Sequence, residues 1–236
     1  MESKKIVLLG CGFTGKYLVD RFSGESVEIL CTNRNKPGSI RFDLNDESTW
    51  KNIPGGADII WLFPAEPVEK VKEFSKNRKI RIVLGTTSSY KEKSGVIDEN
   101  SELDFAIPRV EGEEFLRSKG AVVLRCSGIY GYDRNPFNWL KKGLIKNGNK
   151  TVNLIHVDDL AEIIFRIIIS EIKGEVFTVS DGEKYWWKEI AEAGKKRNVL
   201  NSDFFLPENE FEEKYVDSKK MIKFLGEGFE FNILIH

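Results

Sequence analysis

Histidine and cysteine are scarce in this chain, neither sign of charge is in excess, and no apolar run is long enough to cross a bilayer. Each scarcity removes a class of protein. There are two histidines and three cysteines in 236 residues. Cys11, Cys31 and Cys126 are odd in number and widely spaced, which gives no disulfide framework and no zinc-binding pattern. Two of them lie in or beside apolar, strand-like runs, where a free thiol behaves as a small hydrophobe. Free thiols in a reducing cytoplasm, with no metal site, are therefore expected. His156 stands within an apolar stretch beside Asp158, the setting of a structural or helix-entry histidine, and His236 is terminal. Lys and Arg total 36 against 37 Asp and Glu, a formal net charge of −1. That balance supports neither a nucleic-acid nor an anionic-membrane partner. Met1–Lys5 leads directly into an apolar run too short for a secretory signal, and no segment suits a bilayer. The expectation is a cytoplasmic protein acting on a small-molecule substrate.

What is present is more specific. Apolar residues make up 41% of the chain, as in a globular protein with one sizeable core. The apolar run Ile6-Val7-Leu8-Leu9 is followed by Gly10-Cys11-Gly12-Phe13-Thr14-Gly15, and then by Tyr17, Leu18 and Phe22 at helical spacing. A glycine turn between a strand and a helix is the context that makes a G-x-G-x-x-G pattern meaningful. Gly10 permits the tight turn, Gly12 lets a pyrophosphate approach the backbone, and Gly15 lets the helix pack closely on the strand. The helix N-terminus, beginning at Phe13 and Thr14, then offers free N–H groups to phosphates.

The rest of the chain alternates strand and helix. Strands are predicted at 6–9, 27–31, 40–44, 58–63, 80–84 and 121–125, with helices at 14–22, 68–77 and 107–118. Pro108 must sit in the first turn of the last of these helices. This rhythm implies βαβ units and a mainly parallel, doubly wound α/β sheet. After Gly131 the rhythm changes. Helices are predicted at 137–145, at 188–196 and after Asp158 or Asp159 as a cap. A short helix capped by Asp217 or Ser218 and stopped at Gly226 closes the series. Strands are predicted at 152–155 and 176–179. The chain reads as a single domain over 1–236, with a small lobe from about 132–150 and 181–236.

Four segments together resemble the extended short-chain dehydrogenase/reductases, also described as NAD-dependent epimerase/dehydratase-like. They are the glycine loop, Leu124–Gly131 (LRCSGIYG), Asn153–Leu160 (NLIHVDDL) and Gly174–Gly182 (GEVFTVSDG). The resemblance implies a Rossmann sheet, a small C-terminal substrate lobe reduced in this short chain, and a nicotinamide cofactor.

The end of the second strand bears on which cofactor. An acid about 20 residues past the glycines selects NAD, and a nearby arginine accommodates the 2′-phosphate of NADP. Here the strand ends in Thr32-Asn33-Arg34 with no acid. Arg34 reads as a 2′-phosphate partner with Thr32 and Asn33 as hydrogen-bonders, so NADP is expected, with NAD possible. The alternative is an ordinary solvated loop arginine. Asp43-Leu44 matches the place where the family's aspartate meets the adenine amino group, or else caps a loop. Phe63-Pro64-Ala65 ends the fourth strand on the side where the cofactor ribose should run, and Pro64 also stops the strand.

The resemblance implies a catalytic tyrosine, a lysine four residues later, and a Ser or Thr ending the fifth strand. Thr86, in Gly85-Thr86-Thr87, matches the last of these. No Tyr-x-x-x-Lys occurs between Ser88 and Ala121. Counting back from Glu113 puts Arg109 at the lysine position and Phe105 at the tyrosine position. Phenylalanine has no proton to give; arginine binds a ribose hydroxyl but cannot act as a base. Tyr90 and Tyr130 are alternative phenols or packing residues. Asp133 and Arg134 face a substrate or cap a loop. Trp186-Trp187 walls a pocket or packs a core. The sequence therefore supports either an oxidoreductase or epimerase with an atypical acid, or a dinucleotide-binding sensor with little turnover.

Overall fold

The structure is a computed structural model that describes residues 4–132, 134–170 and 172–234. The strands are β1 (Lys4–Leu9), β2 (Val27–Asn33), β3 (Ile40–Arg41), β4 (Asp58–Trp61), β5 (Lys79–Thr86), β6 (Gly95–Ile97), β7 (Val122–Cys126), β8 (Gly128–Tyr130), β9 (Thr151–Val152), β10 (Leu154–His156), β11 (Val176–Val179), β12 (Tyr185–Trp186) and β13 (Lys214–Val216). The helices are α1 (Phe13–Arg21), α2 (Val68–Ser75), α3 (Pro108–Ser118), α4 (Pro136–Lys141), α5 (Val157–Ser170), α6 (Trp187–Lys196) and α7 (Lys219–Leu225).

Seven strands form the central sheet in the order β11-β7-β5-β4-β1-β2-β3. The pairs β1–β2, β1–β4, β2–β3 and β4–β5 are parallel. From β1 the chain builds outward to β3, then returns to β1's other side and builds outward again through β4 and β5. Crossovers of one hand therefore place helices on opposite faces before and after that reversal. Ligands in such sheets bind beyond the strands' C-terminal ends at the reversal point. Here that point lies between Leu9 and Trp61, which pair across β1 and β4.

The chain divides into two compact units. The first comprises Met1–Ser89, Leu103–Arg125 and Ala161–Phe177; the second comprises Tyr90–Glu102, Cys126–Leu160 and Thr178–His236. In the first, β1 and β4 are buried on both faces, so Ile6–Leu9 and Ile59–Trp61 read as continuous apolar runs. An aromatic cluster of Phe42, Trp50, Trp61, Phe63 and Phe74 packs with them, and the Phe42 and Phe74 rings lie 5.0 Å apart. In the second, Tyr130, Phe137, Leu140, Leu154, Tyr185, Trp187 and Ile190 form a separate core. Trp187 thus packs inward, and Trp186 meets the Phe211 ring at 5.5 Å.

Several boundaries differ from the sequence expectation. The third strand keeps only Ile40 and Arg41, because Asp43 begins a turn that Thr49 and Trp50 close onto its carbonyl. The fourth stops at Trp61, before Pro64. The strand expected over 152–155 is two short strands, β9 and β10, in different sheets. Helix α4 ends at Lys141, with a left-handed glycine at Gly143. Helix α5 begins at Val157, so Asp158 and Asp159 lie in its first turn and do not cap it. Asp159 instead accepts from the backbone N–H groups of Glu230 and Phe231, at 3.1 and 3.2 Å, pinning the C-terminal segment. Gly226 ends α7 in the left-handed conformation, as its position implied.

The largest correction concerns cysteine. Cys11 and Cys31 are joined in a disulfide, with Cα atoms 5.4 Å apart; Cys126 lies outside that bond and is buried. Sequence spacing concealed this. The parallel β1–β2 register sets Leu8 opposite Cys31, so a residue just past β1 falls beside one 20 positions away.

Candidate functional site

Beyond the ends of β1, β2 and β4 lies a cavity of about 510 Å³, lined by Gly10, Gly12, Asn33, Arg34, Phe42, Asp43, Leu44, Asn45, Phe63, Pro64 and Glu66. Eight of these are residues singled out in the sequence. The fold brings them together because three strand ends and the glycine loop meet at the reversal point of the sheet.

The glycine loop is shaped by contacts that side chains would prevent. Gly10 has φ +79°, and a Cβ there would lie 2.8 Å from Phe63 Cδ1. Gly12 caps α1, and a Cβ on it would meet nothing closer than the Gly10 carbonyl oxygen at 3.8 Å. The space above Gly12 is thus open to a ligand. Gly15 is buried in the first turn, and a Cβ would press within 2.8 Å of Cys11 Sγ. Thr14 is also buried, and Phe13 packs edge-on against Tyr17 at 5.4 Å. No side chain caps the start of α1, so its N-terminal N–H groups remain available to an anion.

Thr32 occupies a different place from the one its sequence position suggested. It is fully buried; its hydroxyl donates to the Leu8 carbonyl at 3.1 Å and accepts from the Gly10 N–H at 3.0 Å. Its carbonyl accepts from Cys11 N–H at 2.9 Å. Thr32 therefore holds the loop and does not face the cavity. Asn33 lines the cavity, but its Oδ1 accepts from the N–H groups of Asn35 and Lys36, both at 3.1 Å, which shapes the turn carrying Arg34. Arg34 is exposed on the cavity rim. Asp43 accepts from Asn45 N–H at 2.9 Å and lines the cavity with Leu44. Ala65 is buried away from the cavity. Its carbonyl approaches α3 so closely that a Cβ on Gly112 would lie 1.9 Å from the oxygen. Phe42, Asn45 and Glu66 were not anticipated. Ile40, Phe42 and Leu44 alternate with Arg41 and Asp43, and that alternation was the signal available for Phe42.

Thr86 ends β5, and its Oγ1 accepts from Ser88 N–H at 3.2 Å. Arg109 lies in the first turn of α3; Nε donates to Glu113 at 2.5 Å and Nη2 donates to the Leu84 carbonyl at 2.7 Å. Glu113 is fully buried, and Arg125 Nε stands 3.8 Å from its other oxygen. Burial raises the Glu113 pKa, opposed by the charge and hydrogen bond of Arg109 and by Arg125. Phe105 lies in the turn before α3 and is 63% exposed.

In the second unit, Tyr130 is buried edge-on to His156, whose ring stacks on Phe231 at 4.0 Å. Burial and the nearby Asp181 and Asp159 carboxyls push the Tyr130 phenol up. Asp181 accepts from the Tyr185 hydroxyl at 2.7 Å, and burial raises its pKa to about 7. Tyr90 is also fully buried. Arg134 is exposed, whereas Asp133 and His236 lie outside the described residues. Among the described residues, no group of three or more His, Cys, Asp or Glu is placed to hold a metal ion. No helix there is long and apolar enough to cross a membrane.

Comparison with known proteins places this architecture. No family model matches the sequence, and no curated protein sequence matches it. Solved structures do. The chain superposes on a UDP-N-acetylglucosamine 4-epimerase from Bacillus cereus with a TM-score of 0.78 at 17% identity, covering 99% of this chain and 93% of that one. An ADP-L-glycero-D-manno-heptose-6-epimerase from Helicobacter pylori matches at 0.77 and 12% identity, covering 99% and 93%. A UDP-glucose 4-epimerase from Bifidobacterium longum, solved with NAD+ and UDP, matches at 0.74 and 15%, covering 98% and 95%. The chain thus has the Rossmann-like α/β fold that these sugar-nucleotide epimerases share.

Proposed function

We propose that the chain is a nicotinamide dinucleotide-binding protein of the extended short-chain dehydrogenase/reductase type, preferring NADP to NAD. The observation that carries this reading is the single cavity joining Gly10 and Gly12 to Asn33, Arg34, Asp43 and Leu44. These residues suit the group. Open space over Gly12 and the uncapped start of α1 accept a pyrophosphate. Phe42, Leu44 and Phe63 give an apolar wall for an adenine, with the Asp43 carboxylate as acceptor for its amino group. Arg34 supplies a guanidinium where a ribose 2′-phosphate would project, and no carboxylate at the end of β2 opposes it.

Bound there, the cofactor supplies hydride chemistry to a small carbonyl or sugar-type substrate. The chain's own part is to bind, orient and polarise. Thr86 offers a hydroxyl to a substrate oxygen. A small-molecule partner and a cytoplasmic setting complete this reading, in keeping with the near-neutral charge.

A second reading is favoured by one observation. Arg109, at the position of the family's lysine, is held by Glu113 and the Leu84 carbonyl, and Phe105 supplies no proton. A binding protein with little turnover, serving as a sensor, follows from that arrangement. Fluorescence titration with NADPH and NADH tests the first reading: tighter NADPH binding is expected, and equal affinities or an NADH preference overturn the role of Arg34. NADPH oxidation across carbonyl compounds, with epimerisation assays on UDP-sugars, then separates enzyme from binder.

A further inference from the structure

We propose that Cys11 and Cys31 form a reversible thiol–disulfide exchange site whose closed state holds the glycine loop in its dinucleotide-binding shape. The proposal rests on the dinucleotide reading of the cavity. It begins from position. Cys11 sits between two cavity-lining residues, Gly10 and Gly12, and Cys31 precedes Thr32, Asn33 and Arg34. The bond therefore joins the segment that would meet the pyrophosphate to the segment that would meet the adenosine.

Three links fasten these segments. Two are hydrogen bonds, from Gly10 N–H to Thr32 Oγ1 and from Cys11 N–H to the Thr32 carbonyl, at 3.0 and 2.9 Å. The third is the disulfide. Opening it replaces a covalent sulfur pair about 2 Å apart with two thiols that need roughly 3.5 Å or more. Cys11 Sγ has little room to retreat, because it lies against Gly15 at the start of α1. The added separation is taken up by the loop, so opening it loosens Gly10–Gly15 against β2. A closed loop has already lost the freedom that binding would otherwise remove, which strengthens affinity.

Access and reactivity favour exchange at this pair. Cys11 and Cys31 are both part-exposed, whereas Cys126 is 2% exposed and inert by burial. Cys11 immediately precedes Gly12, the N-cap of α1, where the helix favours a thiolate. The chemistry balances with a low-molecular-weight disulfide as oxidant. The Cys11 thiolate attacks one of its sulfurs, forming a mixed disulfide and expelling one thiolate, which takes a proton. The Cys31 thiolate then attacks Cys11 Sγ, closing the protein bond and expelling the second thiol. Two protein thiols are oxidised, and one small disulfide becomes two thiols. Excess small thiol runs the sequence backwards.

The test uses the whole chain equilibrated in glutathione buffers from oxidising to reducing. Alkylation and intact mass count the free thiols, and NADPH affinity is titrated in each state. Two additional alkylations on reduction, with NADPH binding weakened threefold or more, are expected. The double variant Cys11→Ser/Cys31→Ser, which can form neither the bond nor a mixed disulfide there, should hold the weaker affinity at every glutathione ratio. Failure of the bond to close under oxidising buffer overturns the proposal. So does an affinity change below threefold, tighter binding on reduction, or a glutathione response in the double variant. If NADPH binds in neither state, the dinucleotide reading fails, and hydrogen exchange at the Gly10 and Cys11 amides judges the exchange site alone. Faster exchange on reduction then supports it, and unchanged exchange overturns it.

Discussion

Arg109 and Glu113 stand one turn apart on α3, and the Arg109 guanidinium bridges the buried Glu113 carboxylate to the Leu84 carbonyl of β5. This ties helix to strand at the residue that counting back from Glu113 set at the lysine position. Arg109 is 17% exposed along its side chain, so the pair is only weakly screened. Replacing Arg109 with Ala leaves Glu113 buried with only the more distant Arg125. The expected cost is on the order of 3 kcal/mol of unfolding free energy. Arg109→Lys restores the charge but not the fork, and should recover only part of that loss. Urea denaturation of the two variants measures both.

Arg34 makes the opposite prediction. It is exposed and lies outside the packed core, so Arg34→Ala should leave the urea midpoint unchanged. NADPH affinity should fall roughly tenfold, the size of one charge-assisted phosphate contact, while NADH affinity stays level. Parallel titrations with both cofactors read the change in preference directly.

Gly112 is a packing requirement that its sequence context does not announce. Its missing Cβ admits the Ala65 carbonyl, and both partners are backbone, so neither swings aside. Gly112→Ala should destabilise the chain by about 3 kcal/mol or more. Gly24→Ala is not a fair comparison, since Gly24 has φ +85°. Gly55→Ala, at a position with open space, is the suitable control. Thermal unfolding of both variants tests the contrast.

Asp181 predicts a pH dependence. Its folded pKa is raised to about 7 by burial, above the ordinary carboxylate value, so the folded chain holds this proton while the unfolded chain releases it. The folded state then binds more protons between about pH 4 and pH 7. Its contribution to stability is present below that window, declines through it, and levels off above the folded pKa. Asp181→Asn keeps an acceptor for the Tyr185 hydroxyl and removes the titration. The stability of the native chain relative to this variant should fall as pH rises from 4 to 7. Urea unfolding at several pH values reads that slope, and a flat difference would exclude the raised pKa.

Much of this protein was legible in its sequence. The strand–helix rhythm located the central strands, since both-face burial forces apolar runs at Ile6–Leu9 and Ile59–Trp61 whatever the neighbouring chain does. The glycine spacing at 10, 12 and 15 announced a loop of unusual backbone and close approach: Gly10 has a positive φ, Gly12 leaves open space, and a Cβ on Gly15 would strike Cys11. The absence of Tyr-x-x-x-Lys between Ser88 and Ala121 was equally plain. What sequence order could not carry was proximity. Cys11 and Cys31 are neighbours only because β1 and β2 pair in a particular register. Thr32 turns inward to hold the loop because the same register sets its hydroxyl between Leu8 and Gly10. Arg109 is engaged because α3 lays it against the end of β5. Local composition encodes which segments are strand, turn or helix. Which side chains find partners is decided only when non-local pairing and burial bring distant residues within bonding distance.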